Sequence, residues 1–450
     1  MPTIVEKILS RASGSNTAAH PIKQGDYLSC EVDLAMVHDS SGPRRLAPKL
    51  DALGMSLKHP EKLVVITDHY VPAHDDASRE IQRFTKQWVT DQGIQNFYPE
   101  MGICHVVLPE SGLLQPGMLV VGGDSHSPTG GAFGAYMFGV GATDMAGVAA
   151  TGRIWVKVPK THLVNLHGTL DQQVFAKDII LYLCGQYGMD MAGYQAIEFG
   201  GSAIAGLAMQ ARMTLCNMAA ELGAQVGMIA PDAVTAEWLA ERTTGSNMPS
   251  SLRDEIPFSA LQSDPGSHDG THFDVDLDQL APQAAAPHSP ANSTAINAHE
   301  PTKFNIAYIG ACTGAKIDDL RAAAAILEGR KIADTMRLLI APASRADIDT
   351  AADEGVMQIF EDAGAQFLPT ACGMCAGYGP DRLSDGDVCI SSTARNFKGR
   401  MGAPGSQVWL ASPASVASAA ITGILTDPRE MSPEKPITSK IKRVSHADQR

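Results

Sequence analysis

The sequence predicts an α/β protein with mainly parallel sheets, and three observations carry that prediction. Short apolar, β-branched runs alternate with helix-like stretches along most of the chain. The runs are apolar throughout rather than at every second residue, as strands buried on both faces are. Several end in polar residues, often after glycine, where a parallel sheet presents its carboxyl edge. At 450 residues, 44% hydrophobic and 19% charged, the chain is long enough for about two to three domains. It contains no apolar run near membrane-spanning length, and Met1 does not open a charged-then-apolar leader, so the cytoplasm is the expected compartment. Eight cysteines are too sparse for a disulfide scaffold, which makes reduced thiols the expectation. A net charge of −14 argues against general nucleic-acid affinity, while leaving room for a local basic pocket that holds small anions.

In chain order, a helical stretch runs from Thr3 to about Ser10, followed by strand-like Tyr27 to Val32 and by Asp33 to Asp39, to which no function attaches. Leu63-Val64-Val65-Ile66-Thr67 is a β-branched run ending in Asp68-His69. A carboxylate beside an imidazole fixes its tautomer or raises its pKa, giving a proton donor near neutral pH. The same dipeptide is often no more than a satisfied structural pair. His105 is expected inside an apolar strand, as a core residue. From Met118 the pattern repeats: an apolar strand, Gly122-Gly123, then Asp124-Ser125-His126 and more glycine before a helix of small residues reaching about Ala150. Glycines around such a turn press backbone against a ligand, and amides at a helix start are available to an anion.

Leu207 to Ala224 reads as one helix, so Asn217 and Glu221, four apart, share a face that is either a solvated stripe or the wall of a site. The Ala/Pro-rich stretch 281–302 reads as a linker with no reason to pack, separating 1–280 from 303–430, with a frayed tail over 431–450. Beyond the linker come a strand leading to Cys312, a helix from Lys316 to about Glu328, a strand at Leu338 to Ile340, a helix near 346–363 and a strand at Asp387 to Ser391. Arg395 and Arg400 follow, five apart in a turn-like stretch. Guanidinium forks match carboxylates bidentately, although a basic surface loop has the same look.

Cys372-Gly373-Met374-Cys375 places two thiols in backbone that glycine lets bend around something bulky. Alone, C-x-x-C is equally a redox or zinc pair, or two buried small residues. With Cys312 the set becomes three. A structural zinc site wants four ligands, whereas three cysteines on an iron–sulfur cluster leave one iron open to substrate. Cys389 offers a fourth thiol, but its apolar strand favours burial.

The succession Asp-His, His, Gly-Asp-Ser-His, Asn-x-x-x-Glu, Cys, Cys-x-x-Cys, Arg-Asn-Phe-x-Gly-Arg resembles the aconitase superfamily. Within it, the chain is most similar to the separate large subunits of isopropylmalate isomerase (3-isopropylmalate dehydratase), with homoaconitase and dimethylmalate dehydratase as relatives. The resemblance covers about residues 3–430 and rests on Gly123-Asp124-Ser125-His126, Arg212-Met213-Thr214-Leu215-Cys216-Asn217-Met218, Met228-Ile229-Ala230-Pro231-Asp232, Arg395-Asn396-Phe397 with Gly399-Arg400, and Ser412-Pro413-Ala414. It implies three α/β/α domains packed around an iron–sulfur cluster, without the C-terminal swivel domain that single-chain aconitases carry.

The resemblance also implies roles. Cys312, Cys372 and Cys375 would hold a [4Fe-4S] cluster whose fourth iron takes the oxygens of a hydroxy acid. His69, oriented by Asp68, would protonate the departing hydroxyl, and His105 with the Asp124/His126 pair would complete the acid–base network. Asn217 and Glu221 would line the cluster, and Ser125, Arg395 and Arg400 would bind substrate. The implied activity is that of a hydro-lyase on a malate-type acid, 3-isopropylmalate first, then homoaconitase-type, dimethylmalate and citramalate or maleate substrates. A separate small subunit is expected to bring the catalytic serine. Two positions depart from the family: Ala311-Cys312-Thr313-Gly314 where Ser-Cys-Thr-Asn is usual, and Ala394 where an Asn commonly precedes the first arginine. An iron-sensing RNA-binding protein and a zinc hydrolase are the competing classes. The acidic charge and the complete Asp/His/Arg set weigh against the first, and cluster colour would separate the second.

Overall fold

The structure, a computed structural model, describes residues 1–15, 21–242 and 256–431, so the expected tail lies outside the described residues from 432 onward. Three sheets dominate. The first has five parallel strands in the order Asn96–Pro99, Leu63–Thr67, Leu34–His38, Leu119–Gly122, Tyr136–Gly139. The second has four parallel strands, Val226–Met228, Ala196–Gly200, Thr161–His167 and His272–Asp276. The third has seven: Ser293–Ala295, Gln283–Ala285, Gln407–Ala411, Val388–Ser391, Ile306–Ile309, Arg337–Ile340 and Gln366–Phe367. Its last five are parallel and its first two antiparallel. Tyr27–Glu31 and Arg153–Lys157 form a separate antiparallel pair. The predicted α/β class with mainly parallel sheets is therefore what the chain adopts.

The unbroken apolar runs follow from burial on both faces. Along the first sheet Ala35, Val37, Leu63, Val65, Leu119 and Val121 enter one core, and Leu34, Met36, Val64, Ile66 and Val120 enter the other. In the first sheet the strand order reverses between Leu34–His38 and Leu119–Gly122, and in the third between Ile306–Ile309 and Val388–Ser391. Loops at such reversal points diverge and leave a crevice at the strands' carboxyl ends. His38-Asp39, Gly123-Asp124, Gly310-Ala311-Cys312 and Ser392-Thr393-Ala394 all leave strands there.

Four local expectations are corrected. The stretch read as an unpacked linker supplies the strands Gln283–Ala285 and Ser293–Ala295, with Ala284 and Ala285 fully buried. Its small side chains let it lie flat on the sheet edge, where Gln283 N–H donates to Asp178 Oδ1 (2.8 Å) and Asn396 Nδ2 donates to Ala286 O (2.9 Å). His105 sits in the first turn of a helix, Cys104–Glu110, not in a strand. After Gly123 a 3-10 turn, Ser127–Phe133, and the strand Tyr136–Gly139 precede the helix Ala142–Thr151, where one helix was expected. The turn lies so close to the second sheet that a Cβ at Gly131 would sit 1.7 Å from Gly227 O. Finally, the single helix expected over 207–224 is Met209–Asn217 tightening into a 3-10 turn, Met218–Leu222, and ending on left-handed Gly223. Among the described residues no helix is long and apolar enough to cross a membrane.

Candidate active site

The three thiols reach one place from two segments. Cys312 follows the strand Ile306–Ile309 through Gly310 and Ala311, and Ala311 has a left-handed φ of 71°. Such a conformation costs about 1 kcal/mol or more without glycine. It is tied down by Ser392, whose Oγ accepts from Gly310 N (2.9 Å) and faces the carbonyls of Gly310 (3.0 Å) and Gly314 (3.2 Å). Cys372 and Cys375 belong to a tight turn that docks on the first sheet: Cys372 N–H donates to Asp68 O, 2.8 Å. All three cysteines line one cavity, together with His69, His105, His126, Asp124 and Arg400. Asn217 Nδ2 donates to Cys312 Sγ (3.2 Å) and Thr129 Oγ1 (2.7 Å). The hydrogen bond that Cys372 gives Cys375 pulls the latter thiol down to about 5 against burial, with Arg400 helping, while Cys372 is pushed well up. Burial pushes Cys312 up to about 12.

Facing the thiols are two imidazole–carboxylate systems. His69 Nδ1 lies 2.6 Å from Asp68 Oδ1. Burial opposes charge on His69, but Asp68 outweighs it and lifts the imidazole to about 9; Asp68 itself is held at about 2 against its own burial. His69 is thus an imidazolium at neutral pH with its Nδ1 proton committed, which leaves Nε2 as the donor to a ligand. In the second system Asp124 Oδ1 meets His105 Nε2 and His126 N–H, each at 2.8 Å. Against burial, these two histidines hold Asp124 well below the ordinary carboxylate range. His126 Nε2 is 3.2 Å from Glu221 Oε1, which also accepts from Arg395 Nε at 2.6 Å. Arg395 Nη1 in turn donates to Ser125 Oγ, 2.9 Å. Beside them opens a wider cleft walled by Asp124, Ser125, Tyr194 and Arg395.

Six of the fourteen buried polar atoms without a partner among the described residues lie here: His38 Nε2, Ser41 Oγ, His105 Nδ1, Asn217 Oδ1, Glu221 Oε2 and Arg400 Nε. Buried polar groups are nearly always satisfied, so this concentration marks a place completed by a polar ligand.

The model of the aconitase family (aconitate hydratase) matches residues 6–423. The chain belongs to the aconitase family. The 3-isopropylmalate dehydratase large subunit 1 of Methanopyrus kandleri is 40% identical over 429 residues, covering 95% of this chain and 99% of that protein. The probable methanogen homoaconitase large subunit of Methanosarcina mazei is 42% identical over 402 residues, 89% of this chain and 99% of that one. The 3-isopropylmalate dehydratase large subunit of Aquifex aeolicus is 39% identical over 437 residues, 95% and 97% respectively.

For an aconitase-family chain, the two departures now have a physical setting. A Cβ at Gly314 would fall 2.3 Å from both Cβ and Oγ of Ser392, so Ser392 occupies the room an Asn at 314 would need. Ala394 lines the cysteine cavity with a methyl group where an amide is usual. The geometry brings together Asp68, His69, His105, Asp124, His126, Arg400 and the three cysteines on one cavity, with Ser125, Glu221 and Arg395 on its flank. Asn217 turns its amide to a thiol.

Sequence reasoning missed two residues. His38 stacks on His69, and its Nε2 lies 3.7 Å from Asp124 Oδ2. Asp39 accepts from His69 N (3.0 Å), Tyr70 N (2.8 Å) and Gln82 Nε2 (2.7 Å), fixing the turn that aims His69. Their signal was present, since His38-Asp39 ends an apolar strand as Asp68-His69 does.

Proposed function

We propose that this chain is the cluster-bearing large subunit of a hydro-lyase that removes water from, and restores it to, a malate-type 2-hydroxy acid, with 3-isopropylmalate the first candidate. One observation carries the reading: three thiols from two segments meet two imidazole–carboxylate systems on one cavity. The donor set suits a [4Fe-4S] cluster. Cys312, Cys372 and Cys375 are the thiols on that cavity, while Cys389 is fully buried in its strand. Three thiolates are what a cluster needs when one iron is to stay open, and they are one short of a closed zinc site. When bound there, the cluster supplies a Lewis acid next to the substrate's hydroxyl and carboxylate oxygens.

The chain's own residues account for proton supply and substrate grip. His69, charged and oriented by Asp68, delivers a proton from Nε2 to the departing hydroxyl, and the neutral imidazole left behind takes a proton back from water in the reverse reaction. Asp124 orients His105, whose Nδ1 is left unpartnered, and Glu221 orients His126 and Arg395. Arg395 and Arg400 offer guanidinium groups to the acid's carboxylates, an anion site in a chain of net charge −14. By the resemblance to two-subunit members of the family, the base that takes the carbon-bound proton is assigned to a serine of a separate small subunit. Relatives named large subunits support such a partner.

A homoaconitase-type tricarboxylate is the second reading, favoured by the 42% identity to a relative of that name. The test is turnover of both acids by the anaerobically reconstituted chain with and without a small subunit. Activity only in the pair, on one of these acids, supports the proposal. Full activity of the chain alone, or an iron-free Cys312/Cys372/Cys375 site, sinks it.

A further inference from the structure

Among the described residues three cations are buried to 1% exposure or less: Arg212, Lys177 and Lys316. Arg212 is paired with Asp232 and Lys316 with Asp319, each at 2.7 Å. Lys177, on the helix Ala176–Tyr187, has no carboxylate at ion-pair distance among the described residues. Its Nζ instead donates to the main-chain carbonyls of Ser392 and Thr393, both at 2.6 Å, and lies 3.4 Å from Thr313 Oγ1. These atoms belong to the two loops behind the cysteine cavity, one next to Cys312 and the other leading to Ala394 and Arg395. Burial lowers the ammonium to about 8; Asp319 and the thiols of Cys375 and Cys312 favour its charge, and Lys316 opposes it.

A buried ammonium whose hydrogen bonds go to two carbonyls and one hydroxyl, with no carboxylate in contact, is an expensive arrangement unless anions nearby offset it, as Asp319 and the site's thiols do. We propose that Lys177 is a positioning residue that supplies the fixed counter-charge to the three-cysteine site, stabilising its thiolates and the cluster they carry. This rests on the cluster reading above. The charge matters more in the loaded site, where three thiolates converge, than in the empty one. Removing it therefore weakens the loaded state more than the empty one, which a purely structural role would not produce. Net charge near a cluster also sets its reduction potential, and a lost cation makes adding an electron harder.

The experiment uses the full chain, isolated anaerobically, with Lys177→Gln (one donor kept, charge removed), Lys177→Met (both removed) and Lys177→Arg (both kept). The midpoint of visible bleaching during reductive titration, iron content under chelator challenge, and thermal unfolding of the iron-free chain are measured. The Gln and Met variants are expected to shift the reduction equilibrium about tenfold against reduction, about 59 mV for one electron, and to lose iron faster. Lys177→Arg is expected to stay at the wild-type midpoint, and the iron-free Gln chain to be destabilised less than the loaded one. A Gln midpoint equal to wild type overturns the proposal. So does an iron-free Gln chain that fails to fold or is destabilised as much as the loaded one. Wild-type chain that holds no iron fails differently: it removes the cluster reading, and this proposal with it.

Discussion

His38 lies flat against His69, their ring centroids 3.9 Å apart and their planes 8° from parallel. Two stacked imidazoles cannot both carry charge at little cost. Asp68 decides between them: bonded to His69 at 2.6 Å, it lifts that ring to about 9, while burial and the charge on His69 push His38 down to about 4. One ring is thus kept as a proton donor, and the other is kept neutral with an unpartnered Nε2.

The pH profile of the reconstituted pair reads this division directly. With His69 as acid, activity holds up to about pH 9 and falls above it as the imidazolium is lost. Asp68→Asn removes the group that outweighs burial, so the alkaline limb moves below the ordinary histidine value near 6.5. At pH 7.5 the rate should drop by about two orders of magnitude. The sign for stability follows: the folded pKa of His69 is raised, so its contribution is complete below about 6.5 and is lost as pH rises toward about 9. An Asp68→Asn variant that keeps the wild-type alkaline limb would show that the donor is another group.

Gly314→Asn restores the residue usual in the family but collides with Ser392, because even a Cβ there sits 2.3 Å from that side chain. The single variant should lose about 1–3 kcal/mol in denaturant unfolding, as overpacked cores do. Ser392→Ala should not relieve it, since Ser392 Cβ is itself 2.3 Å away. Ser392→Gly should recover part of the loss. A Gly314→Asn chain as stable as wild type would remove Ser392 as the cause, and one rescued as well by alanine as by glycine would place the clash on its Oγ rather than its Cβ.

Asn217 gives one amide proton to Cys312 Sγ and one to Thr129 Oγ1, so Asn217→Leu leaves the buried Cys312 sulfur without its donor. Unfolding of the iron-free chain should cost about 1–2 kcal/mol. The larger effect is expected in iron retention, with loss to a chelator about tenfold faster, because the lost bond is to a charged acceptor once the thiolate binds iron. Equal chelation rates in variant and wild type would assign Asn217 to Thr129 alone.

What was legible in the sequence was whatever local pattern controls. Strands buried on both faces announce themselves as unbroken apolar runs, and the polar residues at their carboxyl ends gave Asp68-His69, Asp124-Ser125-His126 and Cys312. His105 was misplaced because Val106 and Val107 favour strand; the helix forms because Asp68 Oδ2 accepts the Cys104 N–H at 2.8 Å, a contact 36 residues away. The stretch 281–302 looked like a linker since alanine and proline suit both a coil and a thin edge strand, and its partner Asn396 lies over 100 residues on. Lys177 gave no sign at all, its carbonyl partners being 215 and 216 residues downstream.

The helix that carries His105 ends on Glu110, and there the fold keeps a proton that the sequence does not reveal. Ser344 Oγ lies 2.8 Å from Glu110 Oε1 and 3.0 Å from Asp347 Oδ2 while accepting Asp347 N–H at 3.1 Å. A hydroxyl has one proton to give, so both carboxyl contacts are satisfied only if one of the acids is protonated. Burial and the neighbouring Asp347 raise Glu110 to about 8, with Arg242 opposing, and burial raises Asp347 to about 6. A carboxyl whose folded pKa is raised binds a proton that the unfolded chain has released. Its cost therefore grows as pH rises from the ordinary glutamate value near 4.5 to about 8 and is constant above. Glu110→Gln mimics the protonated acid and should raise the unfolding temperature at pH 8.5 by about 2 °C or more, with no gain at pH 4.5. A gain of equal size at both pH values would mean that the effect is packing rather than the proton.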